Sequence, residues 1–318
     1  MRVFITGGAG FVGSHLTETV LAAGHDVVVI DDFSTGRKQN LAAVSGHDRL
    51  TVHEIDLAAA EAADLVRDFR PDVMLLLGAQ ISVKVSMRDP LLDARVNILG
   101  LVNLMNAAVE SGTKRVAFAS SGGTIYGPVP AEMLPITEET RRLPASFYGL
   151  TKGASQEYLR LYQEHYGIDW VALALGNVYG PRQDPLGEVG VISMFAHRML
   201  RGERCVINGD GMTTRDYVYV TDVVKAFLAA MHRGTGLVNV GTGRETSVLD
   251  VLHTLARHIG VPAAYWHGPP LPGEVRRVAL SPVRAHEQLG WQASVPLDAG
   301  IAAIVAHFRE DSTNALFG

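Results

Sequence analysis

The sequence predicts an α/β fold: a doubly wound parallel sheet with helices on both faces, followed by a smaller mixed α/β lobe in the C-terminal part. In the first 180 residues, short apolar runs alternate with longer amphipathic stretches. The apolar runs are rich in Val, Ile and Leu, as is typical of strands buried on both faces. Repeated strand–helix units imply right-handed crossovers and therefore a parallel sheet. We predict a first domain at 1–180 and a second lobe at 181–318, with the chain crossing between them near the C-terminus.

Each element follows from the period of its apolar residues. The predicted strands of the first domain are 2–6, 26–30, 50–54, 72–77, 115–120 and 169–175, and the predicted helices are 12–23, 58–69, 90–112 and 148–166. After residue 180 we predict helices at 191–201, 222–231, 247–259 and 297–308, with short strands near 205–208 and 217–220. Ser247 and Asp250 have the spacing of a helix capping box.

Composition excludes several classes of protein. The chain has 318 residues, 47% of them hydrophobic and 19% charged, with a formal net charge of -5, so we expect a full core and no nucleic-acid partner. The single cysteine, Cys205, stands in an apolar run and is expected to be buried. We find no leader-like segment, no run of ~20 apolar residues and no metal-ligand spacing among the histidines. We therefore expect a cytoplasmic protein without a membrane or metal partner.

A glycine-rich loop follows the first strand and opens the first helix. Its spaced glycines are Gly7, Gly10 and Gly13. Glycines permit a tight turn, and the free N–H groups of the helix N-terminus bind a pyrophosphate. Asp31 and Asp32 end the second strand, where a carboxylate accepts ribose hydroxyls and repels a 2′-phosphate. The pattern favours NAD over NADP, although Arg37 could pair with a 2′-phosphate.

Tyr148 and Lys152 lie four residues apart at the start of the long predicted helix and share one of its faces. A phenol has a pKa of ~10, which a neighbouring ammonium group and an oxidised nicotinamide would lower. Behind a dinucleotide loop, this spacing predicts a catalytic base. The hydroxyl-rich segment 119–127 follows the fifth strand, at the edge of the sheet where ligands bind.

Together these segments resemble the extended short-chain dehydrogenase/reductase family, and within it the NAD-dependent epimerase/dehydratase group that includes the UDP-glucose 4-epimerases. The resemblance extends over nearly the whole chain. It is carried by residues 6–13, 30–32, 54–57, 78–80, 97, 120–127, 148–152, 176–182, 215–220 and 239–243.

The resemblance implies a role for each matching position. It implies that Tyr148 is the base and that Lys152 holds the nicotinamide ribose. Further cofactor contacts are implied for Gly7, Gly10, Phe11, Val12, Gly13, Asp31, Asp32, Asp56, Leu57, Ala79, Gln80, Asn97 and Ser120. Substrate contacts are implied for Gly122, Gly123, Asn177 and Arg215, of which the last two would contact the diphosphate region.

Two of the departures from the family pattern bear on the catalytic hydroxyl and on phosphate binding. The usual catalytic Ser or Thr falls on Gly122, so Ser121 or Thr124 must supply that hydroxyl. A phosphate-binding arginine of the C-terminal part falls on Leu271, and Arg276 or Arg277 is the candidate substitute.

One further position bears on substrate range. The resemblance places Val278 at the position where, in the epimerases, a large aromatic side chain limits the room around the C2 substituent of the sugar. Because valine is smaller, we expect N-acetylhexosamines to be admitted as well as plain hexoses.

We predict an NAD-dependent nucleotide-sugar 4-epimerase, with UDP-glucose and UDP-galactose as the expected pair, that works through a transient 4-keto sugar. A 4,6-dehydratase is one alternative, but its acid pair falls on Gly123 and Thr124. A reductase or dehydrogenase that exchanges its cofactor is a second. A non-catalytic NAD-binding protein is a third, which the intact Tyr148 and Lys152 disfavour.

The resemblance also implies a homodimer. In this family the helices corresponding to 90–112 and 148–166 pair with their copies in a four-helix bundle. Candidate contact residues, some of which must face the sheet instead, are Val102, Leu104, Ala108, Leu159 and Leu161.

Overall fold

A computed structural model of the chain describes residues 1–187, 190–270 and 275–317. Within them, seven parallel strands form a central sheet in the order β11-β6-β5-β4-β1-β2-β3. The strands are β1 Arg2–Thr6, β2 Asp26–Asp31, β3 Leu50–Glu54, β4 Val73–Leu76, β5 Arg115–Ser121, β6 Asp169–Leu175 and β11 Gly236–Val240. The strand order reverses between β1 and β4, which creates a crevice at their carboxyl ends.

Helices cover both faces of this sheet. The helices, in chain order, are α1 Phe11–Ala22, α2 Ala60–Phe69, α3 Val83–Arg88, α4 Pro90–Ala94, α5 Gly100–Ser111, α6 Phe147–Tyr166, α7 Val191–Leu200, α8 Val220–Ala230, α9 Val248–Ile259, α10 Val283–Leu289 and α11 Leu297–Phe317. Alternate residues of β1 point to opposite faces: Ile5 packs in one core with Leu16 of α1 and Phe227 of α8, and Phe4 packs in the other with Leu104 of α5 and Leu159 of α6. The doubly wound fold is therefore confirmed.

The smaller lobe contains three two-stranded sheets. They pair β7 Asn177–Tyr179 with β10 Tyr217–Tyr219, β8 Cys205–Asn208 with β13 Tyr265–Gly268, and β9 Thr214–Arg215 with β12 Thr246–Ser247. Their core includes Phe195, Val251 and Ile301, from α7, α9 and α11. Cys205 is fully buried there, and burial raises the pKa of its thiol to about 11, as expected for an inert side chain.

The predicted helix 90–112 differs in one important way from the observed structure. Between α4 and α5, residues Arg95–Leu99 form a π-helical segment. A π segment adds one residue to a turn and often occurs at functional sites. The apolar period of the sequence could not reveal it, because both flanking helices keep the ordinary α period.

The region after residue 180 contributes to the central sheet as well as to the smaller lobe. α8 packs against α1, and β11 pairs with β6 at the sheet edge. The domain division at residue 180 stays a prediction. The chain returns to the central sheet at β11, which lies well before the C-terminal residues where the crossing was expected. Nowhere in the described ranges does a helix have the length and apolarity to cross a membrane.

Candidate active site

The glycine loop lies at the point where the strand order reverses. Gly7 has a φ of +67°, and a Cβ atom on it would lie 2.8 Å from the Cα of Gly78, at the end of β4. A Cβ on Gly13 would lie 2.0 Å from the carbonyl oxygen of Gly7. The two glycines therefore let the turn cross β4 and let α1, which begins at Phe11 and continues through Val12, pack against it. This geometry suits the close approach of a pyrophosphate to the start of α1.

The two aspartates after β2 point in different directions. Asp31 is buried, and its carboxylate accepts hydrogen bonds from the N–H groups of Ala9 (2.9 Å) and Phe33 (2.9 Å). Burial raises the pKa of Asp31, and these hydrogen bonds oppose the rise. Asp32 is exposed and instead accepts from Ser34. Of the pair, Asp31 is the one that faces the glycine loop and is placed to meet a ribose.

Arg37, the residue that could have paired with a 2′-phosphate, is already engaged. The Arg37 guanidinium lies 2.9 Å from the Asp184 carboxylate. The backbone N–H of Arg37 donates a hydrogen bond to the Ala9 carbonyl of the glycine loop. The segment that follows Gly180 is thereby connected to the predicted cofactor site.

The segment after β3 forms the neighbouring wall. Asp56 accepts from the Ala58 N–H and forms a 2.7 Å ion pair with Arg95. Although burial acts to raise it, these two contacts hold the pKa of Asp56 below its usual range. Leu57 packs against the start of α5, where a Cβ on Gly100 would lie 1.8 Å from its Cδ1.

Gln80 and Asn97 hold the cleft wall together. The Asn97 side chain accepts from the Gln80 N–H (2.9 Å) and donates to the Gln80 carbonyl (3.0 Å). The Gln80 side chain forms hydrogen bonds with the backbone of Ser82 and with the carboxylate of the buried Asp93. Ala79 is half-buried beside them. The two residues therefore hold each other, and with them the wall of the cleft, in place.

The predicted catalytic pair, Tyr148 and Lys152, lies on the first turns of α6, which Ser146 caps. Lys152 is 2% exposed and donates to the Ala119 carbonyl at 2.9 Å. Burial lowers the pKa of Lys152 to about 8. Tyr148 is hydrogen-bonded to the side chain of Ser121, and burial raises its pKa to about 12 although this hydrogen bond lowers it. A hydroxyl donor thus acts on the phenol, and Lys152 Nζ lies 5.9 Å from the centre of the Tyr148 ring.

The end of β5 distinguishes the two candidate hydroxyls. Ser121 contacts Tyr148, whereas the buried Thr124 hydroxyl has no hydrogen-bond partner among the described residues. A Cβ on Gly122 would lie 2.3 Å from Leu280 Cδ1, so a serine cannot replace Gly122 unless Leu280 moves. Ser120 turns inward and accepts from Gln156 of α6 at 2.9 Å.

Of the predicted substrate-binding positions, Gly122 and Gly123 follow β5 of the central sheet, and Asn177 and Arg215 lie in the adjoining two-stranded sheets. A Cβ on Gly123 would lie 3.9 Å from the Asn177 amide oxygen, which brings these two together. Arg215 is half-buried and donates to the carbonyls of Thr214 and Val275, both at 2.8 Å. Its guanidinium is held in place before any ligand binds.

The two candidate substitute arginines are engaged at the surface. Arg276 forms a 2.7 Å ion pair with Asp210, and Arg277 pairs with Glu245. Either would have to exchange its carboxylate for a phosphate to contact substrate. Leu271 lies outside the described residues.

Val278 is 2% exposed and packs with Ile125, Tyr126 and Leu280. Leu280 also contacts Gly122, so this cluster lies against the segment after β5. A role in limiting the sugar pocket stays a prediction, because packing alone accounts for the burial of Val278.

Sequence reasoning missed three residues that shape the site: Asp93, Gln156 and Leu280. Asp93 and Gln156 lie in helices and become visible only when the helices are packed. Leu280 follows the motif from which Val278 was predicted, but its contact with Gly122 joins distant parts of the chain.

A glycine turn at the sheet crevice, a carboxylate at the end of β2 and a Tyr–Lys pair beside a serine define the class of dinucleotide-dependent short-chain dehydrogenase/reductase proteins. The chain belongs to the NAD dependent epimerase/dehydratase family, whose model matches residues 3–241. It is 44% identical over 314 residues to the UDP-glucose 4-epimerase of Mycolicibacterium smegmatis, covering 98% of this chain and 100% of that one.

Two solved structures are similar over almost the whole chain. The UDP-glucose 4-epimerase of Thermotoga maritima, solved with UDP-glucose, has a TM-score of 0.94 and 38% identity, covering 98% of this chain and 100% of that one. The UDP-glucose 4-epimerase of Thermus thermophilus, solved with NAD, has a TM-score of 0.90 and 42% identity, with 97% and 99% covered.

Proposed function

We propose that this protein is an NAD-dependent nucleotide-sugar 4-epimerase that interconverts UDP-glucose and UDP-galactose. The observation that carries the proposal is the contact of Tyr148 with Ser121 at the end of β5, with the buried Lys152 on the same helix face. The full-length similarity to enzymes named UDP-glucose 4-epimerase supports the choice of substrate.

The residues of the chain would handle the proton and the orientation of the sugar. When bound, NAD supplies the reversible oxidation at C4 of the sugar. Tyr148 takes the proton of the 4-hydroxyl and later returns it. Ser121 donates a hydrogen bond that stabilises the phenolate, and the Lys152 ammonium does so through its charge. Asn177 and Arg215 would hold the diphosphate, for which an arginine fork is suited.

The glycine loop and Asp31 fit NAD. The turn at Gly7 leads to the start of α1, whose N-terminus has no side-chain cap, and the buried carboxylate of Asp31 lies next to the turn. A 2′-phosphate would meet this negative charge, and the Arg37 guanidinium that could offset it is paired with Asp184.

The alternatives are less well supported. A 4,6-dehydratase needs an added acid and base, but Gly123 and Thr124 occupy those positions. A reductase would need to exchange its cofactor in each cycle. A non-catalytic NAD-binding protein would have no need of a Tyr–Lys pair whose pKa values are both shifted by burial.

Turnover of UDP-glucose tests the proposal directly. We expect the purified protein to convert UDP-glucose to UDP-galactose without net formation of NADH. NMR spectra of the products from a panel of UDP-, TDP- and GDP-sugars measure this. Tyr148→Phe should reduce kcat by about 10²–10⁴-fold, the usual cost of a lost general base, while fold and NAD content are kept. A 6-deoxy-4-keto product would assign the dehydratase activity instead, and wild-type turnover in the variant would remove Tyr148 from the mechanism.

The substrate range depends on Val278. We propose that the pocket accepts UDP-N-acetylglucosamine and its 4-epimer as well as the plain sugars, because a small residue at this position removes a clash without creating a preference. Comparison of kcat/KM for the two pairs measures this. Activity on the plain pair with none on the N-acetyl pair would contradict the assignment.

We also propose a homodimer and a cytoplasmic location. The apolar residues exposed on the outer sides of α5, α6 and the π-helical segment are the candidate contact surface. A single buried thiol at Cys205 requires no oxidising compartment. Cell fractionation tests the location, and the dimer is treated below.

A further inference from the structure

A buried carboxylate that the mechanism above does not use lies behind the catalytic helix. Asp93, on α4, is 0% exposed. One of its oxygens accepts from Gln80 Nε2 at 2.8 Å and from Asn97 Nδ2 at 3.1 Å. The other accepts from Thr151 Oγ1 at 2.8 Å. Three neutral donors from three parts of the chain therefore meet at one negative group.

Such an arrangement favours a carboxylate. A buried charge is costly unless its hydrogen bonds are satisfied, and an ionised carboxylate is an acceptor only. An asparagine at position 93 would turn its own N–H₂ group toward at least one of the three donors. The network thus favours a charged group over a neutral one of the same shape.

The bond to Thr151 connects Asp93 to the catalytic turn. Thr151 lies between Tyr148 and Lys152, and its hydroxyl is also 3.0 Å from the Tyr148 carbonyl. The hydroxyl has one proton, which goes to the carboxylate because charge-assisted hydrogen bonds are the stronger ones. Through Gln80 and Asn97 the same carboxylate holds the cleft wall. The position of the first turn of α6 relative to the cofactor cleft is therefore fixed at Asp93.

The charge of Asp93 also acts on both catalytic groups. Burial lowers the pKa of Lys152 to about 8, and Asp93 opposes this. Burial raises the pKa of Tyr148 to about 12, Ser121 lowers it and Asp93 raises it. The titratable groups named at this place are Asp93 from α4 and Tyr148 and Lys152 from α6. The neighbouring groups of β5 are neutral: the Ser121 hydroxyl, the Ala119 carbonyl and the Phe118 ring, whose centre lies 4.6 Å from Lys152 Nζ.

We propose that Asp93 is a positioning residue: it fixes Tyr148 and Lys152 against the cofactor cleft through Thr151, Gln80 and Asn97, and its negative charge acts on both groups. The reaction in which it acts rests on the proposed function, but the placement of the carboxylate does not.

The test compares Asp93→Asn with the wild type in the NAD-loaded protein. The first readout is the ionisation of Tyr148, followed by phenolate absorbance as the difference between each protein and its Tyr148→Phe counterpart. We expect the midpoint to move to lower pH in Asp93→Asn, because the charge that disfavours the phenolate is gone. The second readout is turnover of UDP-glucose, where we expect kcat to fall by up to about 100-fold with little change in KM.

Matched variants separate positioning from stability. Asp89→Ala removes the exposed cap of α4, whose carboxylate accepts from the Leu92 N–H, and leaves the Asp93 network intact. Thr151→Val removes one link without changing the charge, and Thr151→Ser restores it. We expect low kcat in Thr151→Val, near-normal kcat in Thr151→Ser and in Asp89→Ala, and no shift of the Tyr148 midpoint in Asp89→Ala.

An unchanged Tyr148 midpoint in Asp93→Asn would overturn the proposal. So would an equal loss of kcat in Asp89→Ala at a similar melting temperature, since both would then reflect stability alone. If the wild type does not epimerise UDP-glucose, the proposed function fails, while the Tyr148 titration still decides the role of Asp93.

Discussion

At the scale of single residues, the site is defined by how one phenol is surrounded. Tyr148 has Ser121 as its hydrogen-bond partner and Lys152 on the same helix face, and burial acts on both ionisable groups. Burial separates the two pKa values, to about 12 and about 8. A bound oxidised nicotinamide would add positive charge and lower the pKa of Tyr148. Tyr148 is therefore a neutral phenol in the free protein, and bound cofactor would be needed to make it the proposed base.

Ser121→Ala tests which hydroxyl assists the phenol. The Ser121 hydrogen bond lowers the pKa of Tyr148, so its loss should raise that pKa and leave less phenolate at neutral pH. We expect kcat to fall by about tenfold or more and the acid limb of the kcat–pH profile to move to higher pH. Thr124→Val is the control, since Thr124 has no protein partner in the described structure. A larger loss in Thr124→Val with an unmoved limb in Ser121→Ala would reverse the assignment.

Some residues of the site could be predicted from the chain alone, and others could not. Gly7, Asp31, Tyr148 and Lys152 belong to short motifs whose spacing fixes their geometry, so the sequence is enough to find them. Asp93 is different: it meets Gln80 and Thr151 only after α4 and α6 have packed, and a lone aspartate in an amphipathic helix has no distinguishing pattern.

At the scale of elements, predicted boundaries agree where the chain carries explicit signals. β1 and β6 have the predicted limits because turn residues flank their apolar runs. β11, Gly236–Val240, was not predicted as a strand, because its glycine and the polar Asn239 leave no continuous apolar run to mark it. α11 continues from the predicted end at 308 to Phe317, since nothing in the sequence there breaks a helix.

The cap of α9 gives a prediction at this scale. The Ser247 hydroxyl accepts from the Asp250 N–H at 3.0 Å, and the Asp250 carboxylate accepts from the Ser247 N–H, which confirms the expected capping box. We expect Ser247→Ala to lower the free energy of unfolding by about 1 kcal/mol and to leave kcat unchanged. Ser247→Thr, which keeps the hydroxyl, is the control for thermal unfolding. Equal stability of the two variants would mean that the cap contributes nothing.

At the scale of the whole molecule, the burial of three helix residues corrects part of the expected dimer surface. Leu104, Ala108 and Leu159 are buried against the central sheet and are therefore wrong as contact residues. Val102 is half-buried, and Leu161 is exposed as expected. Other exposed apolar residues of these helices include Leu99, Leu150 and Tyr158. These helices carry apolar residues on both the buried and the exposed side, so the sequence alone does not show which side faces the sheet.

Light scattering tests this surface. We expect a mass about twice the 34.2 kDa of the chain at micromolar concentration. Leu161→Glu should shift it toward the monomer, because an unpaired charge is costly in an apolar contact. Leu186→Glu is the control, as Leu186 is 78% exposed in the loop after β7. A monomeric wild type, or equal behaviour of the two variants, would contradict the assigned surface.

The π-helical segment Arg95–Leu99 also limits how the chain can change in length. An α-helix turns by about 100° per residue, so deleting one residue there would rotate everything before it by that angle relative to α5. Asp93 would then leave the side of Thr151, and Asn97 would leave Gln80. Insertions and deletions are usually absorbed by loops, but here a single deletion within a helix would dismantle the cleft without removing any of the motif residues. Length variants that retain activity are therefore expected in the loops and not between Pro90 and Ser111.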